Sequence, residues 1–184
     1  MDNSVALTIQ KSEVAADSLR IRAKLKNNGE VEIYYVAHLC SGWDDEGVPI
    51  LESAAAYRVI TDAGVQLIRS FIPVPSDVDV EVVQYPLFVR LNGGESVDIH
   101  FDLPLPTYPY TPYDFEEFDK DSATPTPLAW SMEIGYVSGR VFLAANPEEV
   151  ATTTGEKGFQ VFSLDQSSIQ AAKHSSTTKI PVLK

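Results

Sequence analysis

The chain has a single cysteine among 184 residues, and acidic side chains outnumber basic ones by 26 to 14. One cysteine excludes an internal disulfide framework. The formal net charge of −12 argues against nucleic acid or an anionic membrane as the main partner, because both require a basic surface. No stretch approaches the ~18 apolar residues that span a bilayer. The N-terminus lacks the basic and apolar regions of a secretory signal, so we expect a cytoplasmic protein.

The sequence also lacks the short motifs that identify common enzyme classes. It contains no Gly-x-Ser-x-Gly elbow, no P-loop and no dinucleotide fingerprint. His38 and Cys40 could supply a nucleophile pair or half of a metal site, but no second Cys/His pair completes a zinc site. Acidic clusters at 44–46, 77–81 and 114–121 do not have the spacing of an EF-hand loop. We therefore predict no metal and no cofactor.

Helical periodicity is scarce, and strict alternation of apolar and polar residues takes its place. Residues 18–26, SLRIRAKLK, place Leu25 and the other apolar residues on one face and the basic residues on the other, which is typical of a half-buried strand. Asparagine- and glycine-rich turns separate such runs. The pattern predicts hairpins over 18–39, 57–72 and 130–144, strands at 5–11, 78–82, 88–91, 96–103 and 159–164, and a short helix over 167–173.

Residues 104–127 differ from the rest because they combine six prolines with five aromatic and five acidic side chains. Proline cannot donate to a central ladder, so we predict a long loop here. Two P-x-x-P runs favour polyproline II, a ligand shape for aromatic grooves, while a loop that covers its own sandwich is the alternative. The candidate binding residues are Tyr108, Tyr110, Tyr113, Phe115, Glu116, Glu117 and Phe118.

The acidic excess is concentrated in the middle of the chain. Residues 28–121 contain 18 acidic and only four basic side chains. A partner chosen by charge would therefore dock a basic surface near 114–121.

The segment Leu91-Asn92-Gly93-Gly94-Glu95-Ser96 resembles the Leu-x-Pro-Gly-Glu-Ser pattern that precedes the fifth strand of bacterial immunoglobulin-like sandwiches. Gly93 stands where proline is usual. Over residues 5–103 the chain is similar to the intracellular proteinase-inhibitor type of this family. The resemblance implies that strands 18–26 and 96–103 pair, with basic side chains facing Asp98 and Asp102. Alternatively, the basic side chains protect an edge strand.

These features predict an all-β protein with a single antiparallel immunoglobulin-like sandwich of about seven to nine strands over residues 1–184. A Pro/Tyr-rich acidic insertion at 104–127 and a polar C-terminal extension at 145–184 complete it. The leading hypothesis is a non-enzymatic module that binds a protein partner through sheet edges or the 104–121 loop. The alternatives are a cytoplasmic proteinase inhibitor, and a hydrolase or metal-dependent enzyme using His38, Cys40 or acidic loops. An exposed edge strand would also permit a homodimer.

Overall fold

The computed structural model describes residues 4–52, 55–72, 74, 85–113, 118–121, 123–151, 155 and 157–184. These residues contain twelve strands, one short helix and one 3-10 turn. The strands are β1 (Val5–Val14), β2 (Ser18–Asn27), β3 (Ile33–Trp43), β4 (Pro49–Glu52), β5 (Tyr57–Thr61), β6 (Gly64–Arg69), β7 (Leu87–Leu91), β8 (Ser96–Pro104), β9 (Pro125–Ser138), β10 (Glu148–Ala151), β11 (Lys157–Gln160) and β12 (Gln170–Leu183). The helix α1 spans Gly139–Ala144, and the 3-10 turn spans Gln166–Ser168. The predicted strand at 78–82 lies outside the described residues.

The strands form two sheets. One sheet has three antiparallel strands in the order β1-β2-β8. The other has nine strands along the path β10-β11-β7-β3-β9-β6-β5, with β12 paired to β9 and β4 paired to β3. The all-β sandwich is therefore confirmed. The twelve described strands exceed the predicted number, and β6 pairs with β9 in parallel rather than antiparallel fashion.

The prediction that β2 and β8 are neighbours is confirmed. Arg20 stands opposite Asp102, and Lys24 stands opposite Asp98. The Arg20 Nε lies 3.5 Å from an Asp102 carboxylate oxygen, and the Lys24 Nζ lies 3.9 Å from an Asp98 oxygen. Because β2 is the middle strand of its sheet, the alternative that its basic side chains protect an edge is wrong.

The main core lies between the two sheets. Every second side chain of β2 points into it, and Leu19, Ile21 and Leu25 are at most 1% exposed. These side chains belong to the same cluster as Trp130 and Ile134 of β9 in the larger sheet. Each buried side chain of this size contributes about 1.5–3 kcal/mol relative to exposure. The alternation in residues 18–26 therefore predicted the buried face correctly.

The central strand β3 is buried on both faces because a second cluster covers the outer side of the larger sheet. Tyr35 belongs to the main core, while Tyr34 and Val36 belong to the second cluster. Phe142 of α1 is fully buried and stacks on Tyr34, with ring centroids 4.0 Å apart. A strand buried on two faces is apolar without interruption, which explains the unbroken run at the start of β3.

Residues 18–39 do not form the predicted hairpin, since β2 and β3 lie in different sheets. Asn27, which the predicted hairpin would place at its turn, is completely buried. Its Nδ2 donates to the carbonyl oxygens of Val31 and Leu91 at 2.8 and 3.2 Å, and its Oδ1 accepts the Gly29 N–H at 3.0 Å. The polar groups of the Asn27 side chain thus find hydrogen-bond partners where the chain passes from one sheet to the other, and no hairpin is formed there. We call these interactions the Asn27 corner.

The connection from β7 to β8 also crosses between the sheets, beside the Asn27 corner. Its Gly94 has a φ of +78°, a conformation that glycine adopts without steric cost. A Cβ at Gly93 would overlap the carbonyl oxygen of Glu30. The close approach of the two connections therefore explains why glycine stands where the immunoglobulin-like pattern has proline.

The predicted hairpin over 130–144 is wrong in its second half. Residues 139–144 form α1, which carries Phe142 into the second cluster. The predicted helix over 167–173 is also wrong, because the chain enters β12 at Gln170 directly after the 3-10 turn.

The ends of the predicted loop and extension are part of the larger sheet. Pro125 begins β9, and Pro127 stands opposite Pro181 of β12. The segment 145–184, predicted as a polar extension, contributes β10, β11 and β12. Its polarity reflects strands with one exposed face, while Val182 on the other face is fully buried.

Candidate functional site

Backbone hydrogen bonds tie the loop that follows β8 to its own sandwich. The Thr107 N–H donates to Pro181 at 3.0 Å, and the Thr107 carbonyl accepts from Leu183 at 2.7 Å. Arg58 of β5 and Tyr110 exchange a pair of backbone hydrogen bonds of 2.7 and 3.0 Å. The loop is therefore held at both β12 and β5. The backbone of the loop is therefore hydrogen-bonded to the sandwich. This agrees with the alternative prediction of a loop that covers its own sandwich.

Arginine and lysine side chains lie against aromatic rings where this loop meets β5. The Arg58 guanidinium carbon lies 4.5 Å from the Tyr108 ring centroid and 4.7 Å from that of Tyr110. The Lys120 Nζ lies 4.1 Å from the Tyr108 centroid, and Phe118 stacks on Tyr108 at 5.9 Å. We call Arg58, Tyr108, Tyr110, Phe118 and Lys120 the Tyr108 cluster.

The Tyr108 cluster combines a buried cation with half-exposed rings. Arg58 is 6% exposed, and its Nε has no hydrogen-bond partner in the described part of the chain. Tyr108, Tyr110 and Phe118 are half-buried. Burial alone would raise the pKa of the Tyr108 hydroxyl, but a hydrogen bond from Lys120 and the positive charges of Arg58 and Lys120 hold this pKa below its usual value. Cation–π contacts of this kind stabilise by ~0.5–2 kcal/mol.

The other candidate residues of the loop are not all brought to this cluster. Tyr113 is 6% exposed, and burial raises the pKa of its hydroxyl, so it acts as a packing residue. Phe115, Glu116 and Glu117 lie outside the described residues. Of the four predicted binding residues that the structure describes, three come together, namely Tyr108, Tyr110 and Phe118.

The residues proposed for enzyme chemistry lie elsewhere. Cys40 in β3 is 2% exposed, whereas a nucleophilic thiol must be reachable by its substrate. The Asp44 carboxylate accepts the N–H groups of Glu46 and Val48 at 3.0 and 2.8 Å, which orders that turn. No group of three or more potential metal ligands occurs among the described residues. The clusters at 77–81 and 114–117 fall outside them.

Arg69, at the end of β6, is a buried polar residue that the sequence analysis missed. It is 2% exposed, and its guanidinium donates to the carbonyl oxygens of Ala37, Ala55 and His100 at 3.2, 3.2 and 2.9 Å. The guanidinium carbon lies 4.0 Å from the Phe101 ring centroid. Burial lowers the pKa of Arg69 to about 9. Arg69 thereby links both sheets.

The sequence shows that basic residues are scarce around these arginines, but it does not show that the two are buried. Residues 28–121 contain only four basic side chains, and two of them, Arg58 and Arg69, are buried. Arg90 is also an isolated arginine within an apolar strand, β7, and it is exposed. A cation leaves water only where hydrogen bonds or aromatic rings receive it, and distant segments supply these for Arg58 and Arg69.

Comparison with known proteins does not assign the chain to a family. Neither a protein-family model nor a curated protein matches it. In structure, it is similar to the beta-glucosidase from Kluyveromyces marxianus in complex with glucose, at 13% identity and a TM-score of 0.27. The match covers 97% of this chain and 15% of that chain, and a similarity this weak carries no argument. Within the described residues, no helix has the length and apolar character to cross a bilayer.

Proposed function

We propose that the chain is a non-enzymatic protein-interaction module that presents the Tyr108 cluster to a protein partner. The observation that carries this proposal is the contact of the Arg58 guanidinium with the rings of Tyr108 and Tyr110, which lie on a loop anchored by backbone hydrogen bonds. Tyrosine and arginine are enriched among residues that dominate binding energy. Side chains already fixed in position lose less conformational entropy on binding.

The immunoglobulin-like resemblance is compatible with this function. It is supported by the two-sheet architecture and by the glycine-rich crossing between β7 and β8. Such sandwiches commonly act as interaction domains, but fold alone does not define function. The proteinase-inhibitor alternative, the cytoplasmic location, the single domain and a homodimer through a sheet edge stay predictions from the sequence.

Site-specific photo-crosslinking tests the proposal. A photoreactive phenylalanine analogue replaces Phe118 in one version of the chain and Phe162 in another. Phe162 is 48% exposed, lies outside the Tyr108 cluster, and provides an aromatic control. Irradiation in extract of the native cells should link position 118 to a discrete protein. Excess unlabelled chain should abolish that product by competition.

The variant Tyr108→Ser tests whether formation of the crosslinked product depends on the Tyr108 cluster. We expect it to weaken partner binding about tenfold or more, because an aromatic hot-spot residue contributes ~1–2 kcal/mol or more. The spectrum of the folded chain should be unchanged. Identical crosslinks from positions 118 and 162, or full retention of binding by Tyr108→Ser, would refute the role of the cluster.

A further inference from the structure

The outer face of the three-stranded sheet carries a row of basic residues that the proposed function does not use. Lys11 of β1 stands opposite Arg22 of β2, and Arg22 stands opposite His100 of β8. A bulge between Ile9 and Lys11 creates this row, because Gln10 would face Arg22 in an unbroken register. Like charges directly opposite each other destabilise a sheet. Lys11 and Arg22 therefore repel each other across the two strands, and an ion pair between Lys11 and Glu13 offsets part of this repulsion.

The neighbouring row carries charges of both signs. Glu13, Arg20 and Asp102 stand in register across the same strands. The hydrogen bond and the charge of Lys11, together with the charges of Arg20 and Arg22, lower the pKa of the Glu13 carboxyl. The two rows line a groove of 360 Å³, so the face has room for an anionic group.

The four basic side chains of β2 form a continuous stripe along the middle of this sheet. We call Arg20, Arg22, Lys24 and Lys26 the basic stripe. Arg20 and Lys24 are paired with Asp102 and Asp98. In the described part of the chain, no ion pair involves Arg22 or Lys26. Two of the four cations therefore remain available.

We propose that the basic stripe binds an extended acidic polypeptide segment with a carboxylate at every second residue. Same-face side chains of a strand repeat every ~6.7 Å, both in β2 and in an extended peptide lying along it. Each carboxylate of such a peptide can therefore meet one cation of the stripe. This surface lies on a different sheet from β5 and the Tyr108 cluster, so the proposal is independent of the function proposed above.

The surrounding charges favour a peptide over nucleic acid. Asp98 and Asp102 flank the stripe on one side, and Glu13 lies on the other. They narrow the positive potential to about the width of one strand at Arg20 and Lys24, while Lys11 widens it at Arg22. A nucleic acid carries a dense row of phosphates and would meet a chain of net charge −12. A single acidic strand that contacts only the stripe avoids most of this repulsion.

The probe is a short synthetic peptide in which glutamate alternates with threonine. Its control has the same composition with the glutamates contiguous. Titration is followed by backbone amide NMR of the whole chain at low and at high salt. We expect changes in amide chemical shift that are centred on β2 and become smaller at high salt, because salt screens the charges. The alternating peptide should bind more tightly than the contiguous one.

Two charge-matched double variants provide the decisive comparison. Arg22→Gln with Lys26→Gln should raise the Kd between about two-fold and thirty-fold, since each exposed pair contributes ~0.2–1 kcal/mol. Arg140→Gln with Lys179→Gln removes the same residue types at exposed positions outside this sheet and should leave the Kd unchanged. Unperturbed spectra of the free variants show that both are folded.

Several results would overturn the proposal. These are equal effects of the two double variants, equal binding of the two peptides, and absence of shifts at low salt. Tighter binding of a single-stranded oligothymidylate would assign the stripe to nucleic acid instead. Salt-dependent self-association of the free chain would assign it to a second copy. A loss of peptide binding would leave the crosslinking result at position 118 unaffected.

Discussion

The Asn27 corner allows a sharp test of how the two sheets are joined. Asn27→Asp keeps the shape of the side chain but replaces the Nδ2 donor with an oxygen. That oxygen would face the carbonyl oxygens of Val31 and Leu91, which lie 2.8 and 3.2 Å from Nδ2 in the native chain. The third hydrogen bond, from the Gly29 N–H, would survive because an oxygen still accepts it.

The cost has two parts. When the new carboxyl is protonated, its O–H can still donate to one of the two carbonyl oxygens, so the loss of the other hydrogen bond should destabilise the fold by about 1 kcal/mol. Asn27 is completely buried, so ionisation at this position is strongly disfavoured. We therefore expect the native pKa of the new carboxyl to lie well above the unfolded value of ~3.9.

This raised pKa fixes the sign of the pH dependence. Above pH ~3.9 the unfolded chain releases the proton while the native chain retains it, so the free energy of unfolding falls as pH rises. The slope should be about −1.4 kcal/mol per pH unit until the native carboxyl ionises. The variant Asn27→Asp should thus be near its highest stability at mildly acidic pH. At pH ~7 it should be several kcal/mol less stable than the native chain.

Equilibrium urea unfolding at several pH values measures this difference. Asn27→Ala separates the lost hydrogen bonds from the charge, because it should destabilise the fold without the additional slope. Asn28→Asp is the matched control, since Asn28 is exposed beside Asn27. If Asn27→Asp had the pH profile of Asn28→Asp, or stayed within ~0.5 kcal/mol of the native chain at neutral pH, the argument for a buried corner would fail.

Three further predictions concern the core. Phe142→Ala should lower the free energy of unfolding by ~3–5 kcal/mol, measured by heat or urea, because Phe142 is fully buried. The control Val141→Ala changes an exposed position and should alter this free energy little. Equal effects of the two substitutions would contradict the packing of Phe142 in the second cluster. Burial lowers the pKa of Arg69 from its usual value to about 9, so above pH 9 the unfolded chain binds the proton more tightly. Between pH ~7 and ~10, the free energy of unfolding of the native chain should therefore rise by about 1.4 kcal/mol relative to that of Arg69→Met. If the unfolding free energies of the two chains changed in parallel with pH, the reasoning would be refuted. Cys40 is 2% exposed, so a thiol reagent should modify it about 100-fold more slowly in the native than in the unfolded chain; equal rates would show that it is accessible.

Most of the strands could be predicted because their evidence is local. The alternation in 18–26 and 96–103 identified β2 and β8 with their buried faces, and the charges on them indicated that they pair. The 57–72 hairpin followed from its turn sequence. Residues 139–144 could not be assigned in this way, because the helix depends on the pocket that Phe142 fills.

The candidate site was only partly visible in the sequence. The loop was conspicuous for its prolines and tyrosines, and Tyr108, Tyr110 and Phe118 do come together. Arg58, which contacts two of these rings, lies in strand β5, about fifty residues earlier in the sequence. Its contact with the loop results from sheet pairing over a long sequence separation, which periodicity does not encode.

The sequence by itself determined that this is an acidic, all-β chain, which faces of its strands are buried, and where its unusual loop lies. These properties follow from the alternation of residues along single strands and from turn chemistry. Only the tertiary structure decided that Asn27 turns the chain between sheets, that β12 pairs with β9, and that β2 is a central strand. Those outcomes depend on which distant segments satisfy buried polar groups and fill the remaining core volume, and such pairing has no local signal.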